Sequence, residues 1–379
     1  MSARIKISLL AASISVLAGC AASTPPPPPT FNPAAAATTQ ADTFIGSSKS
    51  VEKDMAKVKK VALTACNVMF ADESSASAST AAGMFGDPAH SKTSRMDSKV
   101  IVVYTMSGLD DAVMQKMTDD ICNSAEQRMG KAGLEVVPRS ALASNESYQK
   151  MLSSGRKSPY EYKMGDSTYK VFSATGSTIF DDRYIGKVSG LGQAFKSAAG
   201  SSGAQLEAQL MNEMGIDSVQ MNMLVDFAKL ESDGHNKATA VRDKNRAKVS
   251  GTVQLSISGD VSIKPAAGLK CWKKPFGKGE ECAVESRAAF FTKRPVLADE
   301  QFYKEVREAT KTSDKLASGL TKGIALFSAL GGVSSTSTSI TRYSVDVEPA
   351  QFAQVGGKYM NGFMDMMFLS ANNARTNGK

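Results

Sequence analysis

Val249-Ser-Gly-Thr-Val-Gln-Leu-Ser-Ile-Ser-Gly-Asp-Val-Ser-Ile263 is the stretch that decides the fold class. Val249, Gly251, Val253, Leu255, Ile257, Gly259, Val261 and Ile263 fall on one side of an extended chain. Ser250, Thr252, Gln254, Ser256, Ser258, Asp260 and Ser262 fall on the other. Successive Cβ atoms of a strand point to opposite faces, so this period of two predicts one long β-strand, apolar on one side and wet on the other.

Upstream, Val219, Met221, Met223, Val225 and Phe227 alternate with Gln220, Asn222, Leu224 and Asp226, which predicts a second strand. Gly215-Ile216-Asp217 turns into it from a helix over Gln205–Met214, with Leu206, Leu210 and Met214 on one face. Downstream, Arg287–Lys293 reads as a neighbouring strand, Asp299–Arg307 as the start of a helix and Leu316–Leu330 as another helix. Ser334–Val347 reads as a strand and Gln351–Leu369 as a closing helix.

Towards the amino terminus, Val51–Lys60 predicts a short helix leading into a core strand over Val61–Phe70. Glu73–Arg95, rich in Ser, Ala, Gly and Asp, reads as a loop, and Val100–Tyr104 as a strand. The clearest helix spans Asp110–Met129. Asp110 and Asp111 favour its positive end, Val113, Met114, Met117, Ile121, Ala125 and Met129 recur at three- and four-residue steps, and Gly130 and Gly133 end it. Leu134–Val137 is a short strand, Ala141–Leu152 a helical segment and Tyr169–Thr175 a strand; Ile185–Gly203 is glycine-rich, with a short amphipathic helix at Leu191–Ala198. The expected fold class is α/β (α+β), a mixed sheet with helices packed against one face.

The chain begins with a basic segment carrying Arg4 and Lys6, followed by an apolar run from Ile7 to Gly19. That run is shorter than the roughly 20 residues a permanent spanning helix needs, and it matches a secretion signal. Residues 1–19 are therefore expected to be a signal peptide. Residues 20–50 read as a tether: Pro25 to Pro29 is an unbroken proline run, stiff and extended, and Ala34 to Ala37 add small residues with little to bury. Residues 51–379 are expected to form an α/β domain, as one body or as two subdomains (51–152 and 204–379) joined by an irregular segment.

Besides Cys20, the cysteines are Cys66, Cys122, Cys271 and Cys282. In an exported chain an even set suggests disulfides. Cys271 and Cys282 flank a turn-rich stretch and are expected to staple it. Cys66 and Cys122 pair only if the early strand packs on the helix carrying Cys122. No Cys-x-x-Cys is present, so neither a zinc knuckle nor a thioredoxin-like site is supported.

Common catalytic signatures are missing from the sequence. The two histidines, His90 and His235, lie in small-residue or turn-like surroundings and read as loop residues rather than bases. There is no Gly-x-Ser-x-Gly elbow, Walker loop or His-Glu-x-x-His. Met211, Met214, Met221 and Met223 cluster, as do Met360, Met364, Met366 and Met367. Thioethers bind Cu(I), but these positions coincide with apolar faces, so core filling is the expectation. No metal, cofactor or catalytic residue is expected. The formal charge of +8 is modest for this length, so no nucleic-acid partner is expected; Arg242 to Lys248 reads as a solvated basic loop.

Leu17-Ala18-Gly19-Cys20 resembles the lipobox that bacterial lipoprotein signal peptidase cuts before cysteine. The resemblance implies that Cys20 carries acyl chains, palmitate among them, and becomes the mature amino terminus. With Ala21 rather than Asp next, similarity to enterobacterial sorting implies the outer membrane, with the domain facing the periplasm. A second resemblance rests on Gly133-Leu-Glu-Val-Val-Pro-Arg139 after the Asp110–Met129 helix, and on Leu210-Met-Asn-Glu-Met-Gly215-Ile-Asp217-Ser-Val219 before an alternating strand. These are similar to the family of the curli secretion-channel lipoprotein, and to the amino-terminal domain of the Tol system's periplasmic propeller protein. The family implies a periplasmic α/β domain that oligomerises or docks on envelope proteins; in the curli channel, inserted hairpins also build an outer-membrane barrel. Val249–Ile263 has the length and alternation of a barrel strand, which needs about 9–11 residues to cross a bilayer. The leading expectation is a non-enzymatic envelope-binding or assembly role, as a secretion accessory. The alternatives are an oligomeric secretion channel and a small-ligand binder or hydrolase.

Overall fold

A computed structural model describes residues 29–79, 96–180, 203–235, 246–273, 280–311 and 335–378. In chain order its elements are α1 (Ala41–Phe44), β1 (Ile45–Ser47), α2 (Val51–Met55), β2 (Lys60–Ser79), β3 (Met96–Ser107) and α3 (Asp111–Lys131). Next come β4 (Glu135–Val137), α4 (Arg139–Leu142), α5 (Glu146–Ser154), β5 (Tyr160–Met164), β6 (Ser167–Ser173) and α6 (Gly203–Met214). Then follow β7 (Asp217–His235), β8 (Arg246–Lys264), β9 (Leu269–Lys273), β10 (Glu280–Val284), β11 (Ala288–Thr292) and β12 (Val296–Leu297). The last are β13 (Tyr303–Glu308), β14 (Ser335–Val347) and α7 (Pro349–Asn377).

The architecture is a mixed α/β sheet with helices packed on it. Its path is β1-β11-β8-β7-β2-β3-β14-β13, with β4 and β6 also on β2 and β12 on β8. β2 lies parallel to β7, and β7 antiparallel to β8. The β2–β7 ladder joins the two candidate subdomains into one sheet. The strand read from Val249–Ile263 is β8, and its predicted neighbour is β11, antiparallel, with Ala288 opposite Ile263.

Residue alternation decides what each face meets. Val61, Leu63, Val68 and Phe70 of β2, with Val219, Met221, Met223 and Val225 of β7, are buried beneath α3 and α7. Asp110 starts α3 by accepting from the Val113 amide at 2.9 Å, and Gly133, at φ +75°, lets the chain turn away after it. Gly130 lies inside the helix. Glu348 caps α7 through the Gln351 amide at 2.8 Å, with Pro349 in the first turn.

The expected single helical face is corrected to two. Ala62, on the opposite side of β2, packs with Leu142, Tyr148 and Met151 of α4 and α5 and with Leu206, Leu210 and Met211 of α6. Four further readings change. The folded body starts at Phe31, not at residue 51: Phe31 is buried with Phe44 and Tyr359, at ring separations of 5.7 and 5.8 Å. Ala141–Leu152 is two helices, because the Asn145 side chain accepts from the Tyr148 amide and starts a new one. Glu73–Ser79 continues β2, and the rest of the predicted loop, 80–95, lies outside the described residues. Asp299–Arg307 does not start a helix; Tyr303–Glu308 is a strand on β14 with charged side chains in solvent, a composition that suits a sheet edge. The segments at Leu191–Ala198 and Leu316–Leu330 lie outside the described residues.

Candidate functional site

The sheet forks. The β2–β7 ladder ends at Phe70 opposite Val225. One or two residues further on, the β7–β8 register shifts between Asp226 and Ala228, and the β2–β6 register shifts between Ala71 and Glu73. Glu73 pairs with Thr168 of β6 on one side and Thr105 of β3 on the other. β3 therefore enters on the side that β7 has left. Beyond the fork, β2, β3 and β14 form one layer, while β7 and β8 continue as a hairpin from Ala228 opposite Val253 to His235 opposite Arg246.

That hairpin has two chemically distinct faces. Lys229, Glu231, Lys248, Ser250 and Thr252 are exposed. Lys229 and Glu231 pair at 2.8 Å, and the ammonium holds the Glu231 carboxyl below the usual carboxylate range. Leu230, Val249 and Val253 lie on the other face and pack into the core cluster with Val100, Val102, Tyr104 and Tyr343. Tyr104 and Tyr343, side by side on β3 and β14, stack at 4.9 Å. Gly251 permits the close approach of the two layers: a Cβ there would sit 2.7 Å from the Tyr104 ring and 2.8 Å from Leu230. The eight pairs beyond the bulge extend about 27 Å at roughly 3.4 Å per residue, short of the roughly 9–11 residues that a tilted barrel strand needs.

The second polar feature lies beneath α6. Glu207 is 1% exposed; its carboxylate accepts from Ser218 and from Gln220 (2.8 Å) and pairs with Lys264. Thr64 and Ser218 share a 2.7 Å hydrogen bond, and the Asn67 amide donates to Asn222 at 3.0 Å. Asp217, from the Gly-Ile-Asp turn, accepts from the Lys59 and Ala266 amides at 2.7 Å each, tying the start of β2 to the end of β8. Each of these residues has a partner within the network, as a stable interior requires, but the buried Asn67 Oδ1 accepts no hydrogen bond. Glu207→Ala is expected to cost about 3 kcal/mol of unfolding free energy, the low end for breaking a buried ion pair because Lys264 keeps some solvent contact. Urea unfolding of the variant measures this, and an unshifted midpoint would mean that the pair contributes no net stability.

The sequence-predicted residues divide as follows. Cys20 and His90 lie outside the described residues, as does the side chain of His235. Cys66 is bonded to Cys122, joining β2 to α3, and Cys271 is bonded to Cys282 across the β9–β10 hairpin. The first methionine group is not brought together: Met211 packs on one side of the sheet, Met221 and Met223 on the other. Met360, Met364, Met366 and Met367 are buried in the main core, so these methionines fill space. Among the described residues no group of three or more His, Cys, Asp or Glu is placed to hold a metal, and no helix is long and apolar enough to cross a membrane. A groove of about 650 Å³, lined by Met69, Tyr162, Met164, Leu224 and Phe291, has Asp260 as the one carboxylate among its described lining residues.

Sequence reasoning missed the fork and the residues that build it: Ser74, Tyr104, Asp226 and Tyr343. The available signal was the loss of β7 alternation near Asp226, where Phe227 and Ala228 are both buried. No protein-family model matches this chain, and no curated protein matches it.

Proposed function

We propose that this chain is a lipid-anchored envelope protein, held to the outer membrane through Cys20 with its α/β body in the periplasm. It acts by binding and assembly, not catalysis, as an accessory to secretion. The observation that supports this is the fork, where the β7–β8 hairpin leaves the main sheet with an apolar stripe on one face. In the single chain that stripe packs against Val100, Val102, Tyr104 and Tyr343 of β3 and β14. Beyond the fork both outer edges of the hairpin lack a strand partner among the described residues, and such edges pair with strands of other chains. The two disulfides fit an oxidising compartment outside the cytoplasm.

A second reading, an oligomeric outer-membrane secretion channel, is favoured by the alternation of the same hairpin. Leu230, Val249 and Val253 on one face and Lys229, Glu231, Lys248 and Thr252 on the other match the lipid-out, water-in pattern of a barrel strand pair. One experiment addresses both. A photo-crosslinking residue in place of exposed Ser250, activated in intact cells, is expected to yield multiples of this chain or adducts with envelope proteins. A monomer free of adducts at every expression level would overturn the assembly role. Stepwise conductance of the purified protein in planar bilayers would select the channel, and its absence would leave the accessory.

A further inference from the structure

Two cavities meet on the face of the sheet that carries α6. The groove of about 650 Å³ adjoins a second cavity of about 470 Å³, since Asp260 and Phe291 line both. Tyr162 and Met164 of β5 line the larger one together with Phe291 of β11, although β6, β2, β7 and β8 separate those two strands in the sheet. The sheet is therefore bent into a trough. Along its floor Asp260 pairs with Asn222 and Phe291, and the next row on the same face pairs Ser262 with Gln220 and Ala289.

The two ends of the trough differ chemically. Met69, Met164, Leu224 and Phe291 make one end apolar. Met164 and Phe291 are 46% and 44% exposed, two of the four large apolar side chains left exposed among the described residues. Methionine adapts its shape to irregular apolar surfaces. Lys293, beside this end, donates to the Asp42 carbonyl at 3.0 Å. At the other end Glu207, Asp260, Lys264 and Arg287 supply two charges of each sign, with Lys264 paired to Glu207. Ser262 lines this polar end; it is 3% exposed, and its hydroxyl has no partner. Its cross-strand neighbours do not supply one: the Gln220 amide donates to Glu207 at 2.8 Å, and Ala289 has no polar side-chain atom. A buried hydroxyl left unbonded is costly, and it can both donate and accept, so a ligand hydroxyl answers it.

We propose that the trough binds a single-chain lipid with an uncharged, hydroxyl-bearing head, of the monoacylglycerol kind. Its hydrocarbon lies among Met69, Met164, Leu224 and Phe291, and a head hydroxyl bonds Ser262. The charge balance selects the head. A carboxylate would meet Glu207 and Asp260, and an ammonium would meet Lys264 and Arg287, while a neutral head opposes neither pair. Each cavity falls within the range of about 300–1,000 Å³ common to small-molecule sites. Neither Cys20 nor the β7–β8 hairpin beyond the fork takes part.

The test uses a monoacylglycerol with a diazirine in its hydrocarbon chain, added to the purified full-length chain in phosphatidylcholine vesicles and photolysed. Labelling is expected to saturate, to be displaced by unlabelled monoacylglycerol, and to map to peptides containing Met164 and Phe291. Ser262→Ala should fold, because the lost hydroxyl bonds nothing in the chain. It should weaken monoacylglycerol labelling several-fold and leave labelling by an alkane diazirine of the same length unchanged. Phe291→Glu, at an exposed rim position, should weaken both several-fold. Equal labelling by the fatty acid or the alkylamine of the same length would overturn the neutral head, as would a Ser262→Ala chain labelled like wild type. Labelling that rises linearly with probe, resists competition or maps outside the trough would overturn the site itself.

Discussion

Replacing Cys66 and Cys122 together by alanine is expected to lower the unfolding free energy by about 4 kcal/mol. The bond closes a loop with a sequence separation of 56, and chain-entropy arguments give about 3 kcal/mol for a 15-residue loop and nearly 5 for one of 100. Both cysteines are buried, at 2% and 0% exposure, so part of the cost is packing lost where β2 meets α3. The expected signature is a lower urea midpoint with a steeper slope, since the denatured chain without the cross-link is less compact and exposes more surface. The Cys271–Cys282 bridge closes a separation of only 11 and lies in a separate two-stranded sheet, so its removal should cost less. A double variant with an unchanged midpoint would mean that the reduced chain is already constrained there, and that packing of α3 on β2 does the work.

That bond also marks where the sequence could be read and where it could not. Pairing of Cys66 with Cys122 depended on whether the early strand meets the helix. The 3.6-residue period of α3 and the apolar run of β2 were both legible, yet nothing local says that they touch. The elements read correctly are those whose own side chains carry the period: β8 with its alternation, α3 with its cap, and α7 with its row of buried Phe and Met residues.

The elements misread take their conformation from a neighbour. Asp72-Glu-Ser-Ser-Ala-Ser-Ala-Ser79 has turn-like composition, but Val100, Ile101, Val102 and Val103 of β3 supply a strong strand beside it. Tyr303–Glu308 is charged enough to suggest a helix surface, and β14 captures it as an edge strand. Asp226 is the sharpest case. A lone aspartate in an alternating strand reads as one more solvent-facing residue. Its meaning comes from the bulge next to it and from Ser74, whose proximity only the folded sheet creates. Local period cannot predict a fork, because a fork exists only where three strands meet.

Substituting serine for Cys20 is expected to abolish lipid labelling and to remove the chain from the outer-membrane fraction. The hydroxyl is too weak a nucleophile to take up the diacylglyceryl group, so no acyl chain is attached. Each buried methylene is worth about 0.8 kcal/mol; one chain holds a protein only marginally, and durable anchoring needs a second membrane signal. Unchanged processing, labelling and fractionation would sink the proposed location and the envelope role with it. A graded outcome separates the two functional readings. If the anchor is the only attachment, any exported serine variant should be recovered in the soluble periplasmic fraction. If the β7–β8 hairpins of several copies sit in the bilayer, the assembled fraction should resist alkaline extraction even without its lipid, because the apolar stripe of Leu230, Val249 and Val253 would then be held by hydrocarbon instead of by β3 and β14.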